Sequence, residues 1–205
     1  MVKGYAEQEV LADQGTLTVR VSEKRAENAE AYQAAEASIQ VVKGFLAEAL
    51  GEEAEMLELS TSISETKKLN EKGNRTNEID YYVVSRSLRV NTSKVRKLAD
   101  LSRKLYDLNA KGIRLTLDGP DFFVSGLEEV KIDLMQRATG NGRERAEIMA
   151  KSSGEKLGSL VSARQGVIQI TKPNSTRTSS YGLYDTETIE KVVKLVVTLE
   201  FKIGK

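Results

Sequence analysis

The chain has no cysteine, histidine or tryptophan, only 2 prolines, and aromatic residues at 5% of its 205 positions. Without Cys or His, the usual zinc sites, cysteine nucleophiles, Ser-His-Asp triads and disulfide frameworks are excluded by inventory. Chemistry is left to Ser, Lys, Tyr, Asp and Glu. The 31 basic and 30 acidic residues are interspersed and leave a net charge of +1. Such a chain has no long-range field of one sign, so nucleic acid and anionic membrane are poor partners for it. No apolar run approaches the roughly 20 residues of a membrane-spanning helix. The absence of cysteine suits an oxidising compartment, though it does not require one. The segment after Met1 reads directly as a strand, with no signal peptide before it, so the chain is expected to be cytosolic or to begin after a removed leader.

A chain of this length can bury a core without metal or disulfide. Strict alternation of apolar and polar residues marks strands around Leu17, Val19 and Val21; from Leu57 to Ile63; and at Ile113, Leu115 and Leu117. The last strand is the longest, with Val193, Leu195, Val197, Leu199, Phe201 and Ile203 on one face. One apolar and one wet face per strand is the pattern of an antiparallel sheet covered on one side. Three helices separate these strands. The first, over 24–50, carries Tyr32, Ala35, Ile39, Val42, Leu46 and Ala49 at spacings of three and four and stops at Gly51. A second runs from an N-cap at Thr92 or Ser93 to Gly112. A third, over 126–157, contains Thr139-Gly140-Asn141-Gly142. That stretch either weakens the helix or, with Ala138 and Ala146, forms a small-residue strip that admits a second backbone.

The expected fold class is therefore α+β: two-layer, mainly antiparallel sheets with three helices, in two subdomains. Residues 1–91 plus 159–205 are expected to form the larger subdomain, in which the first and last strands can pair, and 92–158 the smaller.

No motif points clearly to catalysis. Ser64 with Lys67, and Ser153 with Lys156, match Ser-x-x-Lys, but 17 Ser and 18 Lys give about 1.5 such matches by chance. Gly140-x-Gly142 lacks the third glycine of a dinucleotide loop, Arg145 standing in its place, and it lies within a helical pattern. The carboxylate pairs Glu52 with Glu53, Glu128 with Glu129, and Asp118 with Asp121 read as solvated helix starts and turns; Asp118-Gly119-Pro120-Asp121 reads as a turn. Tyr81 and Tyr82 should point to opposite faces of a strand. Asn74, Asn91 and Asn174 begin Asn-x-Ser/Thr triplets, which matter only in a glycosylating host. No cofactor or metal site emerges.

The most unusual stretch is 171–185, a Ser/Thr-rich connection between two strong strands, far longer than a hairpin needs. It reads as a mobile surface loop or as a surface for a partner or a second subunit. Its candidate contact residues are Pro173, Asn174, Arg177, Tyr181, Tyr184 and Asp185.

Three stretches carry a family resemblance. The opening Val2-Lys3-Gly4-Tyr5-Ala6-Glu7-Gln8-Glu9-Val10-Leu11-Ala12-Asp13 resembles the first strand and turn of the SIMPL-domain family of bacterial envelope proteins. Arg143-Glu144-Arg145-Ala146-Glu147-Ile148-Met149-Ala150, followed by Gly154 and Leu157-Gly158, is similar to that family's Ala-rich helix and its exit. Ile170-Thr171-Lys172-Pro173-Asn174-Ser175, then Tyr181-Gly182 and Asp185 through Lys191, resembles the long loop of one subgroup. The resemblance implies an α+β fold of two subdomains, an N-terminal signal or membrane anchor outside this chain, and a place in the periplasm or cell envelope. It also implies homo-oligomers and a part in stress tolerance, and it transfers no catalytic residue. Gly140 and Gly142 depart from the helix formers expected there. The leading expectation is a non-enzymatic envelope protein acting through homo-oligomerisation and contact with an unknown protein partner. The alternative is a small-molecule or peptide-binding module using a cleft between the subdomains.

Overall fold

A computed structural model describes residues 1–51 and 53–204. The protein is α+β, with two mainly antiparallel sheets, three long helices and one helical turn among the described residues. The chain divides into two compact units, Met1–Ala12 with Val124–Lys205, and Asp13–Phe123. This differs from the expected division at 91/92 and 158/159. The reason lies in strand pairing: β6 (Leu115–Phe123) joins β2 (Gln14–Arg25), so the second helix stays with the early strands. The third helix instead packs on the first and last strands.

In the first unit, β10 (Glu190–Gly204) is the central strand. One side pairs with β1 (Val2–Leu11), as the sequence led us to expect, in a register running from Val2 opposite Leu199 to Leu11 opposite Glu190. The other side pairs with β7 (Lys156–Gln165) and β8 (Gln169–Thr171), and the two-residue β9 (Leu183–Tyr184) adds to β8 in parallel. Val193, Leu195, Val197 and Leu199 are buried against α4 (Leu127–Ser152), whose inward stripe is Leu134, Ala138, Gly142, Ala146 and Ala150. The apolar alternation of β10 leaves the core after Leu199, because register shifts at Glu200 and Phe201 turn the strand and expose Ile203.

The Gly140–Gly142 stretch does not interrupt α4; the small-residue strip is what the structure uses. A Cβ on Gly4 of β1 would lie 2.0 Å from the Ala138 carbonyl oxygen and 2.7 Å from the Gly142 nitrogen. Strand and helix backbones therefore touch at a point where only glycine fits.

In the second unit, β5 (Arg75–Thr92) is the long central strand. It pairs with β2 along 82–92 on one side, and with β3 (Glu55–Glu58) and β4 (Ser62–Leu69) on the other. The alternation expected as one strand from Leu57 to Ile63 is thus split in two. Before residue 82, from Arg75 to Tyr81, β5 is paired only with β4, so the two extend as a two-stranded ribbon. α1 (Asn28–Leu50) packs on β5 and β2, and α2 (Val95–Leu105) packs on β2 and β6. Leu17, Val19 and Val21 face these helices and are fully buried, together with Val84, Leu88 and Val90.

Several boundaries differ from the sequence reading. Because β2 continues to Arg25, α1 starts at Asn28; its stripe buries Ala31 and leaves Tyr32 half exposed, with the Arg86 guanidinium 5.8 Å from the ring centre. Neither Thr92 nor Ser93 is the N-cap of α2. Lys94 is, and the Thr92 hydroxyl accepts its N–H at 3.1 Å. The helix ends at Leu105, and a separate turn, α3 (Asp107–Ala110), follows. Asp118-Gly119-Pro120-Asp121 is no turn. It lies inside β6, where a register shift opposite Thr16–Thr18 and a cis Gly119–Pro120 bond absorb the glycine and proline. Tyr81 and Tyr82 do face opposite ways: Tyr82 packs with Ala31, Ala35 and Val84, while Lys24 stands over the Tyr81 ring.

Candidate functional site

The 171–185 connection is held at both ends and in the middle. Its main anchor is Lys191. Stepping back by two from Val193 along the inward face of β10 lands on this residue, and its side chain is fully buried. Burying an ammonium is costly unless every donor finds a partner. Lys191 Nζ donates to the Asp185 carbonyl, to the Thr188 carbonyl at 2.6 Å and to Asp185 Oδ2 at 3.2 Å, which accounts for its three N–H groups. The same carboxylate accepts from the Thr188 N–H at 3.2 Å and from the Thr188 hydroxyl. Burial works to raise the Asp185 carboxyl, but the Thr188 and Lys191 hydrogen bonds and the Lys191 charge outweigh it and hold the group below the usual carboxylate range.

Two further ties fix the rest of the loop. The Gln169 side-chain amide donates to the Ser179 carbonyl at 2.7 Å and accepts the Ser179 N–H at 3.3 Å, imitating one rung of a sheet ladder. Lys194 Nζ donates to the Ser175 carbonyl at 3.1 Å, and the Asp185 N–H continues the β8–β9 pairing by donating to the Ile170 carbonyl at 2.9 Å.

Between these ties the loop borders an open hollow of about 220 Å³ whose wall includes Thr171, Lys172, Arg177, Leu183, Asp185 and Glu187. Of the six residues singled out in the sequence, the structure brings Arg177, Tyr184 and Asp185 to this hollow. Pro173 and Asn174 instead line a separate depression with Glu7, Glu9 and Val192, and Asn174 has φ 61°. Tyr181 stands at the loop tip, 96% exposed. Lys191 and Gln169 lie outside the stretch singled out in the sequence, and Thr171 lies at its start but not among the six residues named. A lysine on the inward alternation of an apolar strand was the available signal for the first; nothing local marks the other two.

The sheet edges form a second candidate surface, since an open edge is a template for pairing with another chain. The outer edge of β1 is closed by α4. Arg145 donates to the Lys3 carbonyl at 3.3 Å, Asn141 Oδ1 accepts the Tyr5 N–H at 3.1 Å, and Arg137 donates to the Glu7 carbonyl at 2.8 Å. The match is geometric. Four helical residues advance about 6 Å and two strand residues about 6.6 Å, so a row at i, i+4, i+8 reaches alternate backbone groups of an antiparallel strand. The outer backbone groups of β1 at Lys3, Tyr5 and Glu7 are therefore occupied from within the unit. In the second unit, β6 is broken by its bulge and Pro120. Among the described residues, no strand pairs with the outer edge of β4, and Ile63 and Leu69 on it are 51% and 63% exposed.

The chance serine–lysine pairs form no nucleophilic site. Ser153 is the C-cap of α4 and its hydroxyl donates to the Met149 and Ala150 carbonyls, while Ser64 and Lys67 lie exposed on β4. Glu53 pairs with Lys94 at 3.1 Å and Glu128 pairs with Lys131; Glu52 lies outside the described residues. Asp118 and Asp121 border a hollow on the second unit's sheet beside Arg89 and Glu55.

The fold and these surfaces define a two-unit α+β protein with an anchored loop and selectively closed sheet edges. The chain belongs to the SIMPL family, described as proteins of unknown function (DUF541), whose family model matches residues 1–201. No curated protein matches it.

Proposed function

We propose that this chain is a non-enzymatic protein of the periplasm or cell envelope that works by self-association and by contact with a protein partner, in the stress-tolerance setting that the resemblance implies. The observation that carries the reading is the contrast between edges. β1 is closed by three side chains and β6 by a bulge and a proline, whereas β4 keeps an open edge bearing half-exposed Ile63 within the sheet and exposed Leu69 on the two-stranded ribbon that extends from it. The almost fully exposed Tyr181 on an anchored loop supports partner contact, because a large ring that packs on nothing in its own chain is available to be buried by a partner. A cysteine-free composition supports an oxidising compartment.

Sedimentation velocity on the purified chain across a hundredfold concentration range tests self-association. Oligomers are expected in the wild type and mainly monomer in an Ile63→Lys/Leu69→Lys variant of unchanged circular dichroism. A wild type that stays monomeric at the highest concentration would remove the proposal.

A further inference from the structure

We infer that the hollow under the 171–185 loop is a binding site for a small carboxylate carried on a short apolar body. The inference is independent of the assembly reading, because every wall residue belongs to one unit.

Thr171 is the first reason. It is 3% exposed, it forms part of the wall, and its hydroxyl oxygen is buried without a hydrogen-bond partner. Buried hydroxyls are nearly always partnered, since an unmade bond costs about 1–3 kcal/mol. Thr171 borders the hollow, so a small turn of its side chain would bring this unpartnered hydroxyl to an acceptor bound there.

Charge gives the second. Lys172 and Arg177 lie on the wall, and neither has a carboxylate within ion-pair distance among the described residues. Asp185 is already neutralised by Lys191, so Glu187 alone opposes them and the wall keeps one net positive charge. A singly charged acid fits that balance better than a phosphate dianion.

Size and polarity narrow the class further. Ile170 and Leu183 supply apolar wall, and 220 Å³ is the room of about seven waters. The site therefore suits an acyl chain or amino-acid-sized body, well below the usual drug-sized pocket. Both a free short-chain acid and the carboxyl end of a peptide present this chemistry.

The test is a ¹⁵N–¹H NMR titration of the full chain, following the amides of Thr171, Ser175, Arg177 and Glu187. The probes are butyrate, acetyl-Ala-Ala with a free carboxyl group, their neutral amides, and inorganic phosphate. Saturable shifts at these amides are expected with at least one of the two acids, and the corresponding amide should bind at least tenfold more weakly, the scale of a charge-assisted hydrogen bond. Butyrate alone would mark a free acid as the ligand, and the peptide alone a chain terminus. Arg177→Gln should weaken binding about tenfold, whereas Glu187→Gln should tighten it. Thr171→Val separates a binding role from a structural one: the unliganded protein should melt no lower than the wild type, because an orphan polar atom is removed, while affinity for the acid falls. No saturable shift with either acid, equal binding of acids and amides, tighter binding of phosphate, or wild-type affinity in Thr171→Val would each overturn the assignment.

Discussion

Alanine at three glycines of the first unit should give three different results. At Gly4 the new Cβ would stand 2.0 Å from the Ala138 carbonyl oxygen, and ordinary contact begins at 3.4 Å, so strand and helix must part by about 1.4 Å. Both obstructing groups are backbone and cannot rotate aside. Such a retreat also draws Asn141 and Arg137 off β1, taking their 3.1 and 2.8 Å bonds beyond hydrogen-bond range. Overpacking costs about 1–3 kcal/mol, and each lost bond about 1 kcal/mol. Gly4→Ala should therefore destabilise by about 3 kcal/mol or more, a fall in Tm of roughly 6–12 °C for a chain of this size. At Gly142 the nearest obstacle is the Leu199 Cδ1 methyl at 2.7 Å, which can rotate, and the Gly4 backbone follows at 3.2 Å. The gain of about 1 kcal/mol from replacing a helical glycine then largely offsets the crowding. Gly140 has nothing within 4 Å, so Gly140→Ala should stabilise by up to about 1 kcal/mol. Urea denaturation followed by far-ultraviolet circular dichroism measures all three. A Gly4→Ala variant within 0.5 kcal/mol of the wild type, or a destabilised Gly140→Ala, would refute the close approach as described.

Three further outcomes follow from the loop anchor and the closed edge. Lys191→Ala should destabilise by about 3 kcal/mol, since it strips the partly buried Asp185 carboxylate of its cation and leaves the Asp185 and Thr188 carbonyls without their donor, and should speed tryptic cleavage at Arg177 as the loop is released. The low-lying Asp185 carboxyl adds stability that is present above the ordinary carboxylate pKa of about 4 and is lost as pH falls through the lower folded value. Urea melts from pH 6 down to pH 3 should show a slope that Asp185→Asn flattens. In the Ile63→Lys/Leu69→Lys background, expected to be mainly monomeric, adding Arg137→Ala/Asn141→Leu/Arg145→Ala opens the outer edge of β1 and should give concentration-dependent association by light scattering; no association beyond that background would show that these side chains do not guard the edge.

How far the sequence could be read depended on the range of the interaction involved. The inward faces of β2 and β10 were legible because burial imposes a period of two, and Leu17, Val19, Val21 and Val193 through Leu199 obey it. Helix stripes were legible for the same reason, though Tyr32 fell on one and is exposed, since a stripe shows which way a face points and not where the core ends. The Asp118–Asp121 stretch failed because turn-forming residues also build a bulge inside a strand. Part of the loop hollow was readable: an overlong, Ser/Thr-rich connection singled out Arg177, Tyr184 and Asp185, whereas Thr171 and Lys191 gained their meaning only from burial.

The sequence alone determined the α+β class, the alternating strands, the three long helices and the absence of cysteine and histidine chemistry, because each depends on residue type or on neighbours a few positions apart. Tertiary structure decided the rest. The division into units depends on β6 crossing to β2 and α4 to β1; the role of Gly4 and Gly142 depends on contact between residues far apart in the chain; and the buried Lys191 becomes a loop anchor only where Asp185 and Thr188 fold back upon it. Long-range pairings of this kind leave no local period, since their energy comes from groups that only the folded chain brings together.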